Sequence, residues 1–323
     1  MREQGVTLVT GANGFLGRRV AAALLRGGQG SLLLTDKSEP TTLYSGRTEV
    51  RFVQCDLTEA GACDALISRG VSRVFHLASL VSGGAEADFE AGLRVNVMAT
   101  LSLLEACRKH AGRPCFVFPS SIATFGGRAL PPVVDDRTFQ HPRSSYGVAK
   151  VIGEQLLSDY SRKGYVDGRG LRLAAIVVRD EPNSAASGYV SEMIREPLRG
   201  KDYACPVGED TRIPVASARC AVEGLLRLAE VNEQALYEHR TINAPSLSPS
   251  AADLRRAVEK CAPAGRACGT IRFRPVAAVQ RIIEGWPSEM KAEEAARLGL
   301  PSDPSIEQII EYYLWNEAGD PSK

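Results

Sequence analysis

Two side chains with complementary acid–base chemistry, Tyr146 and Lys150, lie four residues apart at the start of a predicted helix. Residues with this spacing share one face of a helix, so the phenol and the ammonium are expected to be neighbours. A phenol ordinarily loses its proton near pH ~10, and a fixed positive charge beside it favours the phenolate. The spacing therefore predicts a tyrosine base that removes a proton from a substrate hydroxyl.

A pair of serines supplies the hydroxyl that this chemistry needs. Ser120 and Ser121 follow the fifth apolar run, at the carboxyl edge of a predicted parallel sheet, where ligands bind in α/β folds. One serine would hold the substrate oxygen while Tyr146 takes its proton and a hydride leaves to a nicotinamide. We therefore predict the oxidation of an alcohol.

A glycine-rich loop lies between the first predicted strand and the first predicted helix. Gly11, Gly14 and Gly17 would make the tight turn, admit a phosphate to the backbone and pack the helix on the strand. The positive end of the helix dipole favours the pyrophosphate. In this context the loop predicts a dinucleotide site, whose further contacts are Asn13, Phe15 and Leu16.

Two aspartates follow strands where a cofactor would lie. Asp36 closes the second strand, and a carboxylate there binds both adenosine ribose hydroxyls and repels a 2′-phosphate. This predicts NAD over NADP, although Lys37 beside it would soften that preference. Asp56 follows the third strand, where its carboxylate would either meet the adenine amino group, with Leu57 beside it, or only stabilise a turn; both readings stay open.

The elements that must position these groups are short apolar runs alternating with helical patterns. Unbroken apolar strands separated by helices are typical of a parallel sheet covered on both faces, so the predicted fold class is α/β, a doubly wound Rossmann sheet. The predicted strands are 6–10, 32–35, 50–55, 74–78, 115–118, 171–178 and 270–273; the predicted helices are 17–25, 59–68, 96–110, 218–231, 251–261 and 306–315.

The rhythm weakens after the sixth strand, where a loop of small and polar residues, 179–187, opens a region of shorter elements. We therefore predict an NAD-binding Rossmann domain over 1–180. A smaller, α-rich substrate-binding domain is predicted over 181–323, with some of its segments returning to the sheet.

Composition excludes several classes of protein. The 323 residues carry 39 Lys and Arg against 38 Asp and Glu, a net charge of +1, which argues against a nucleic-acid binder. No apolar run approaches the ~20 residues that span a bilayer, and the first residues lack an apolar signal segment, so a cytoplasmic protein without membrane contact is expected. The eight scattered cysteines are predicted to be reduced, and the four histidines show no metal-ligand spacing, so no metal site is expected.

The order of these motifs resembles the extended short-chain dehydrogenase/reductase family over essentially the whole chain. The resemblance implies that Tyr146 is the base, that Ser121 orients the substrate oxygen, and that Lys150 binds the nicotinamide ribose and lowers the tyrosine pKa. It gives Asn96 a supporting structural or proton-relay role. It further implies cofactor-lining residues at Leu77, Ala78, Ser79 and Ile176, and a homodimer formed through helices 96–110 and 147–161.

More distinctive stretches, 80–89, 159–164, 166–169 and 194–198, resemble the D-erythronate dehydrogenase group, which oxidises the C2 hydroxyl of a four-carbon sugar acid with NAD. The candidate substrate contacts are Ser82, Gly83, Ser121, Tyr146, Asn183 and Arg212, of which Arg212 is open to a second reading as a surface ion pair. The chain departs from the group at Ala174, where proline is usual, and at Asp180 and Glu181, which add negative charge.

Other activities of this fold remain as alternatives. A nucleotide-sugar 4-epimerase usually has asparagine where this chain has Ala175, which weighs against that activity. A sugar-nucleotide dehydratase needs an Asp-Glu pair where Ile122-Ala123 stands. A non-catalytic NAD-sensing module would be expected to lose Tyr146 or Lys150, and both are present.

Overall fold

The computed structural model describes residues 5–28, 30–39, 47–67, 70–179, 187–236 and 240–316. The chain divides into two compact units. The first comprises Met1–Ser121, Ser144–Arg172 and Val222–Ile242, and the second comprises Ile122–Arg143, Leu173–Ala221 and Asn243–Lys323. The prediction of one boundary at residue 180 differs from this division, since each unit is built from three separate segments of the chain.

The strands are β1 (Val6–Thr10), β2 (Leu32–Asp36), β3 (Val50–Gln54), β4 (Val71–His76), β5 (Cys115–Ser121), β6 (Val133–Val134), β7 (Asp167–Leu173), β8 (Ala175–Val177), β9 (Tyr203–Cys205), β10 (Val215–Ser217), β11 (Thr241–Asn243), β12 (Ile271–Phe273) and β13 (Glu289–Met290). Seven of them form one sheet in the order β11-β7-β5-β4-β1-β2-β3. The pairs from β3 to β5 are parallel. The predicted doubly wound α/β class is therefore confirmed.

The helices are α1 (Phe15–Arg26), α2 (Ala62–Ile67), α3 (Ser82–Ala87), α4 (Phe89–Leu93), α5 (Ala99–His110), α6 (Ser145–Arg162), α7 (Gly188–Leu198), α8 (Ala218–Glu230), α9 (Ala251–Cys261), α10 (Ala277–Glu284), α11 (Glu293–Arg297) and α12 (Ile306–Asn316). A π-helical segment, Arg94–Met98, leads into α5, so the predicted helix 96–110 begins with wider turns. None of the described helices is both long and apolar enough to cross a membrane.

The core of the first unit lies between the parallel sheet and the helices that follow its strands. Leu8 of β1, Val74 of β4 and Phe116 of β5 are fully buried against Leu103 and Leu104 of α5. Strands buried in this way carry no polar alternation, which is why they read as unbroken apolar runs in the sequence. The core thus fixes the carboxyl ends of β1, β2, β4 and β5 at one edge of the sheet.

The predicted sixth strand, 171–178, is two strands in the structure. β7 ends at Leu173 in the seven-stranded sheet, whereas β8 pairs in parallel with β10 in a separate two-stranded sheet. Ala174 lies between them, and Ala175 N donates to Pro214 O at 3.0 Å. Because both strands are buried and apolar, the sequence shows no sign of the break.

The second unit contains small parallel strand pairs and helices. Besides β8–β10, β9 pairs with β12 and β6 with β13. Helix α9 packs against α7 and α12. Its first residue follows a capping box in which Ser250 and Asp253 satisfy each other's backbone N–H groups, and this explains why the predicted bounds 251–261 agree with the observed ones.

Candidate active site

The glycine loop joins β1 to α1 in a conformation that only small residues allow. Gly11 has a φ of +65°, and a Cβ on it would lie 2.6 Å from Ala78 N. A Cβ on Gly17 would lie 2.0 Å from Gly11 O. Gly14 is the N-cap residue of α1 and provides no side-chain cap. The N–H groups of the first turn of α1 therefore remain directed out of the helix, as an anion site requires.

Asp36 lies at the end of β2 beside this loop. Its Oδ2 accepts from Asn13 N at 3.1 Å, and its Oδ1 accepts from Ser38 N at 3.1 Å and Ser38 Oγ at 3.0 Å. The Asn13 amide donates to Ser38 Oγ at 2.8 Å and to Glu39 O at 2.7 Å. Among the described buried side-chain atoms, Asn13 Oδ1 is one of those without a hydrogen-bond partner.

These residues fit an adenine dinucleotide. A carboxylate at the end of β2 accepts ribose hydroxyls, the buried Asn13 Oδ1 calls for a donor, and the uncapped start of α1 suits a pyrophosphate. Phe15 and Leu16 form the first turn of α1, and both are half-buried. The loop and Asp36 are thus brought together as the sequence predicted.

Asp56 is engaged in a turn. Its Oδ1 accepts from Thr58 N at 2.9 Å and from Thr58 Oγ1 at 2.7 Å, and these bonds lower the pKa of Asp56. Leu57 beside it is buried in the core. These contacts are the ones expected if Asp56 stabilises a turn. Both hydrogen bonds from Thr58 go to Oδ1 of Asp56 and neither goes to Oδ2.

The predicted catalytic side chains come from β5 and α6. Ser121 is the last residue of β5, and α6 begins at Ser145 after Ser144, whose Oγ accepts from Gly147 N at 3.1 Å. Lys150 Nζ lies 5.5 Å from the centroid of the Tyr146 ring. The side chains of Tyr146 and Lys150 therefore lie close together in the first unit, as their spacing predicts.

The Lys150 ammonium is buried, with 5% of the residue exposed. Its Nζ donates to Pro119 O at 2.8 Å and lies 4.6 Å from the centroid of the Phe118 ring. Burial lowers the pKa of Lys150 from 10.5 to about 8, and the charge of Glu154 opposes this shift. The lysine therefore remains charged at neutral pH with little margin.

A chain of hydrogen bonds connects the loop after β4 to α5 through His76. Thr100 Oγ1 donates to Asn96 O at 2.9 Å, so it accepts from His76 Nε2 at 2.9 Å. His76 Nδ1 then accepts from Thr10 Oγ1 at 2.8 Å, and Thr10 Oγ1 accepts from Ala78 N at 3.2 Å. Burial, assisted by the charge of Lys150, lowers the pKa of His76 to about 3, so the imidazole is neutral.

Asn96 holds the same loop from the π-helical segment. Its Oδ1 accepts from Ser79 Oγ at 2.9 Å and from Leu80 N at 2.8 Å, while its Nδ2 donates to Leu80 O at 2.9 Å. The family resemblance implied either a structural or a proton-relay role for Asn96, and these bonds are of the structural kind. Leu77 and Ala78 lie in this loop, and Leu77 N donates to Thr10 O at 3.2 Å.

Three residues that sequence reasoning missed surround the candidate site. Glu154, one turn after Lys150 on α6, accepts from Ser120 Oγ and forms a buried ion pair with Arg172 of β7. Glu86 of α3 accepts at 2.9 Å from Ser145 N, the first residue of α6. The signal for Glu154 was present in its spacing of four from Lys150, whereas Glu86 and Arg172 are distant in sequence.

The predicted substrate contacts are divided between the units. Ser82 and Gly83 begin α3 in the first unit. Arg212 belongs to the second unit, where its Nη1 donates to Ser248 O at 2.7 Å and the guanidinium lies 3.7 Å from Asp253. Ile176, a predicted cofactor contact, lies in β8 of the second unit. Asn183, Asp180 and Glu181 lie outside the described residues.

Comparison with known proteins agrees with this architecture. The profile of the NAD dependent epimerase/dehydratase family matches residues 7–237. A D-erythronate dehydrogenase of Cupriavidus necator is 42% identical over 318 residues, which cover 95% of this chain and 97% of that protein. A D-erythronate dehydrogenase of Haemophilus influenzae is 35% identical over 312 residues, or 95% and 98% of the two chains. The structure of a nucleoside-diphosphate-sugar epimerase from Agrobacterium tumefaciens matches with a TM-score of 0.90 and 36% identity, over 98% of this chain and 95% of that one.

The chain belongs to the NAD dependent epimerase/dehydratase family. The expected class of enzyme, an NAD-dependent dehydrogenase, is confirmed by these relatives. The same relatives support a nicotinamide cofactor and a small-molecule substrate.

Proposed function

We propose that the protein oxidises the C2 hydroxyl of a small sugar acid, D-erythronate or a close relative, with NAD. One observation carries the proposal. The buried Lys150 ammonium lies near the Tyr146 ring and binds Pro119 O of β5, the strand that ends at Ser121. The identity of 42% to a D-erythronate dehydrogenase over nearly the whole chain supports the choice of substrate.

The chemistry follows from the placement of these groups. Tyr146 removes the proton of the substrate hydroxyl, the positive charge of Lys150 stabilises the phenolate, and Ser121 donates a hydrogen bond to the substrate oxygen. A bound NAD would supply the acceptor for the hydride from C2, the carbon that bears this hydroxyl, so that the alcohol would become a ketone and one proton would be released. Each of these roles is a proposal.

The cofactor end of the site supports NAD rather than NADP. Asp36 and Asn13 would bind the adenosine ribose, and the negative charge of Asp36 would repel a 2′-phosphate. Gly11, Gly14 and the first turn of α1 would hold the pyrophosphate, and Leu77, Ala78, Ser79 and Asn96 would line the rest of the cofactor. Ile176 remains a further proposed contact, inferred from sequence. Asp56 and Leu57 remain proposed contacts of the adenine.

The carboxylate of the substrate needs a binding group. Ser82 and Gly83 are proposed to bind it through backbone N–H groups at the start of α3. Asn183 and Arg212 remain further proposed contacts, inferred from sequence. Arg212 already shares its charge with Asp253, so a substrate would have to compete with that ion pair.

The helices expected to form a homodimer expose apolar side chains. Met98 and Val148, one on each of these helices, are more than two-fifths exposed, and so are Phe89 and Leu93 of α4. Exposed apolar side chains on these helices favour a protein–protein contact. The homodimer and the cytoplasmic location stay proposals.

The decisive experiment incubates the purified protein with NAD and a panel of aldonic and uronic acids and follows the absorbance of NADH. Formation of NADH with D-erythronate, its loss in Tyr146→Phe, and retained NAD binding in that variant are the expected results. Equal turnover with NADP would contradict the role given to Asp36.

A nucleotide-sugar epimerase is the second candidate, favoured by the structural likeness to the Agrobacterium tumefaciens protein. In the same experiment, interconversion of UDP-sugars with no NADH from any acid would establish it. Binding of NAD without turnover of either substrate class would instead indicate a non-catalytic NAD-sensing module.

A further inference from the structure

Two side chains of α6 bind consecutive residues of β5. Lys150 Nζ donates to Pro119 O at 2.8 Å, and Glu154 accepts from Ser120 Oγ. The next residue of the strand is Ser121, the proposed donor to the substrate oxygen. These contacts therefore set the register between the strand that carries the serine and the helix that carries the base.

Glu154 is also a buried charge. Its side chain is 3% exposed, and its partner Arg172 is 8% exposed. Arg172 Nε lies 3.1 Å from both carboxylate oxygens, and Nη2 lies 2.8 Å from Oε2. Burying such a pair is costly, and a fold that needed only stability could fill the same space with apolar groups. A functional role would explain why the charge lies here.

The surroundings of Lys150 indicate that role. On its own helix the ammonium lies near the Tyr146 ring and feels the charge of Glu154, and β4 contributes His76, which is neutral. The Phe118 ring of β5 is uncharged. Glu154 thus supplies the negative charge that opposes the cost of burying the ammonium.

We propose that Glu154 is a positioning residue of the Ser121–Tyr146–Lys150 site, because its buried carboxylate keeps the Lys150 ammonium charged and ties the end of β5 to α6. This inference rests on the function proposed above, since the charge of Lys150 matters only if Tyr146 acts as a base.

The test measures the charge of Lys150 directly. The protein is labelled with lysine carrying ¹³C at Cε, and the Lys150 resonance is assigned by its absence in Lys150→Met. A pH titration then compares the wild type with Glu154→Gln, which keeps the side-chain shape and the bond to Ser120. The titration midpoint of Lys150 should fall by about two units, as expected for removal of a charge ~6 Å away at an effective dielectric constant of ~20.

Two further variants keep the test decisive. Asp159→Asn removes an exposed charge from the same helix, where Asp159 pairs with Arg162, and should leave the midpoint unchanged. Glu154→Gln/Arg172→Met also removes the guanidinium whose carboxylate partner the single substitution takes away, and this double variant replaces Glu154→Gln if that variant fails to fold. The double variant should still titrate below the wild type. A wild-type midpoint in Glu154→Gln, or its full restoration in the double variant, would overturn the proposal.

The kinetic counterpart separates this inference from the proposed function. With NAD and the acid that supports turnover, the high-pH loss of kcat should move down in Glu154→Gln by the same amount as the midpoint. If no acid yields NADH, the proposed function fails while the titration still decides the electrostatic role of Glu154. If NADH forms and Tyr146→Phe is inactive but both midpoint and pH profile stay unchanged, the inference alone fails.

Discussion

Replacing Lys150 by methionine should change how the stability of the protein depends on pH. Burial lowers the pKa of Lys150 from 10.5 to about 8, so the folded protein gives up this proton more readily than the unfolded chain. Between these two values the unfolded state binds more protons, and stability rises with pH. At neutral pH the buried charge of Lys150 lowers the unfolding free energy of the wild type. Lys150→Met carries no such charge and does not have this cost.

The size of the effect follows from the two pKa values. A shift of 2.5 units corresponds to about 3 kcal/mol in full, at ~1.36 kcal/mol per unit. Between about pH 7 and about pH 9.5 the wild type should therefore gain roughly 2 kcal/mol in unfolding free energy relative to Lys150→Met. Other groups titrate in both proteins and cancel in the difference.

Urea unfolding of both proteins without added cofactor measures this difference. Circular dichroism should follow the transition, because Trp286 and Trp315 both belong to the second unit and their fluorescence would not report on α6. The exposed Lys163, just after the same helix, provides the control: Lys163→Met should keep a constant offset from the wild type. If the unfolding free energy of the wild type minus that of Lys150→Met stays constant or falls as pH rises, the reasoning is refuted.

Three further predictions test other parts of the first unit. Gly17→Ala places a methyl group 2.0 Å from a backbone carbonyl and should cost about 1–3 kcal/mol of stability and weaken NAD binding, whereas Gly112→Ala, with open space around it, should do neither by calorimetry. Glu86→Ala removes the carboxylate that caps α6 and should cost about 0.5–2 kcal/mol and lower kcat, with Glu86→Gln closer to the wild type. Met98→Glu should convert a dimer into monomers in light scattering; unchanged mass would contradict the proposed interface.

The parts of the fold that the sequence predicted well are those whose signals are local. The glycine loop, the strand before it and the aspartate at the end of β2 depend on turn chemistry and on short apolar runs, and these are visible in a single stretch of chain. The bounds of α9 follow from a capping box. The short strand β11 offered no such signal, since three residues are too few to show a period.

Stretches that looked distinctive in the sequence include some that maintain the fold. Arg169, in the stretch 166–169, donates to Leu228 O at 2.7 Å and to Val231 O at 2.6 Å, and so binds carbonyl groups at the end of α8. It also pairs with Asp167. Similarity to an enzyme group therefore marks residues that preserve the scaffold as well as residues that touch a substrate, and only the contacts separate the two.

Glu154 shows the opposite error, in which a sequence pattern that looks ordinary hides a buried residue of the candidate site. A glutamate four residues after a lysine on a helix is usually a solvated ion pair worth a few tenths of a kcal/mol, roughly 0.2–0.5. That interpretation fails here because Tyr146 and Lys150 already assign this face of α6 to the interior, so a third charge on the same face must be buried too. Its partner, Arg172, lies on a strand 18 residues further along, where an arginine within an apolar run carries no signal of what it binds. A charged residue at this helical spacing from a predicted catalytic pair should therefore be treated as part of the site until its burial is known.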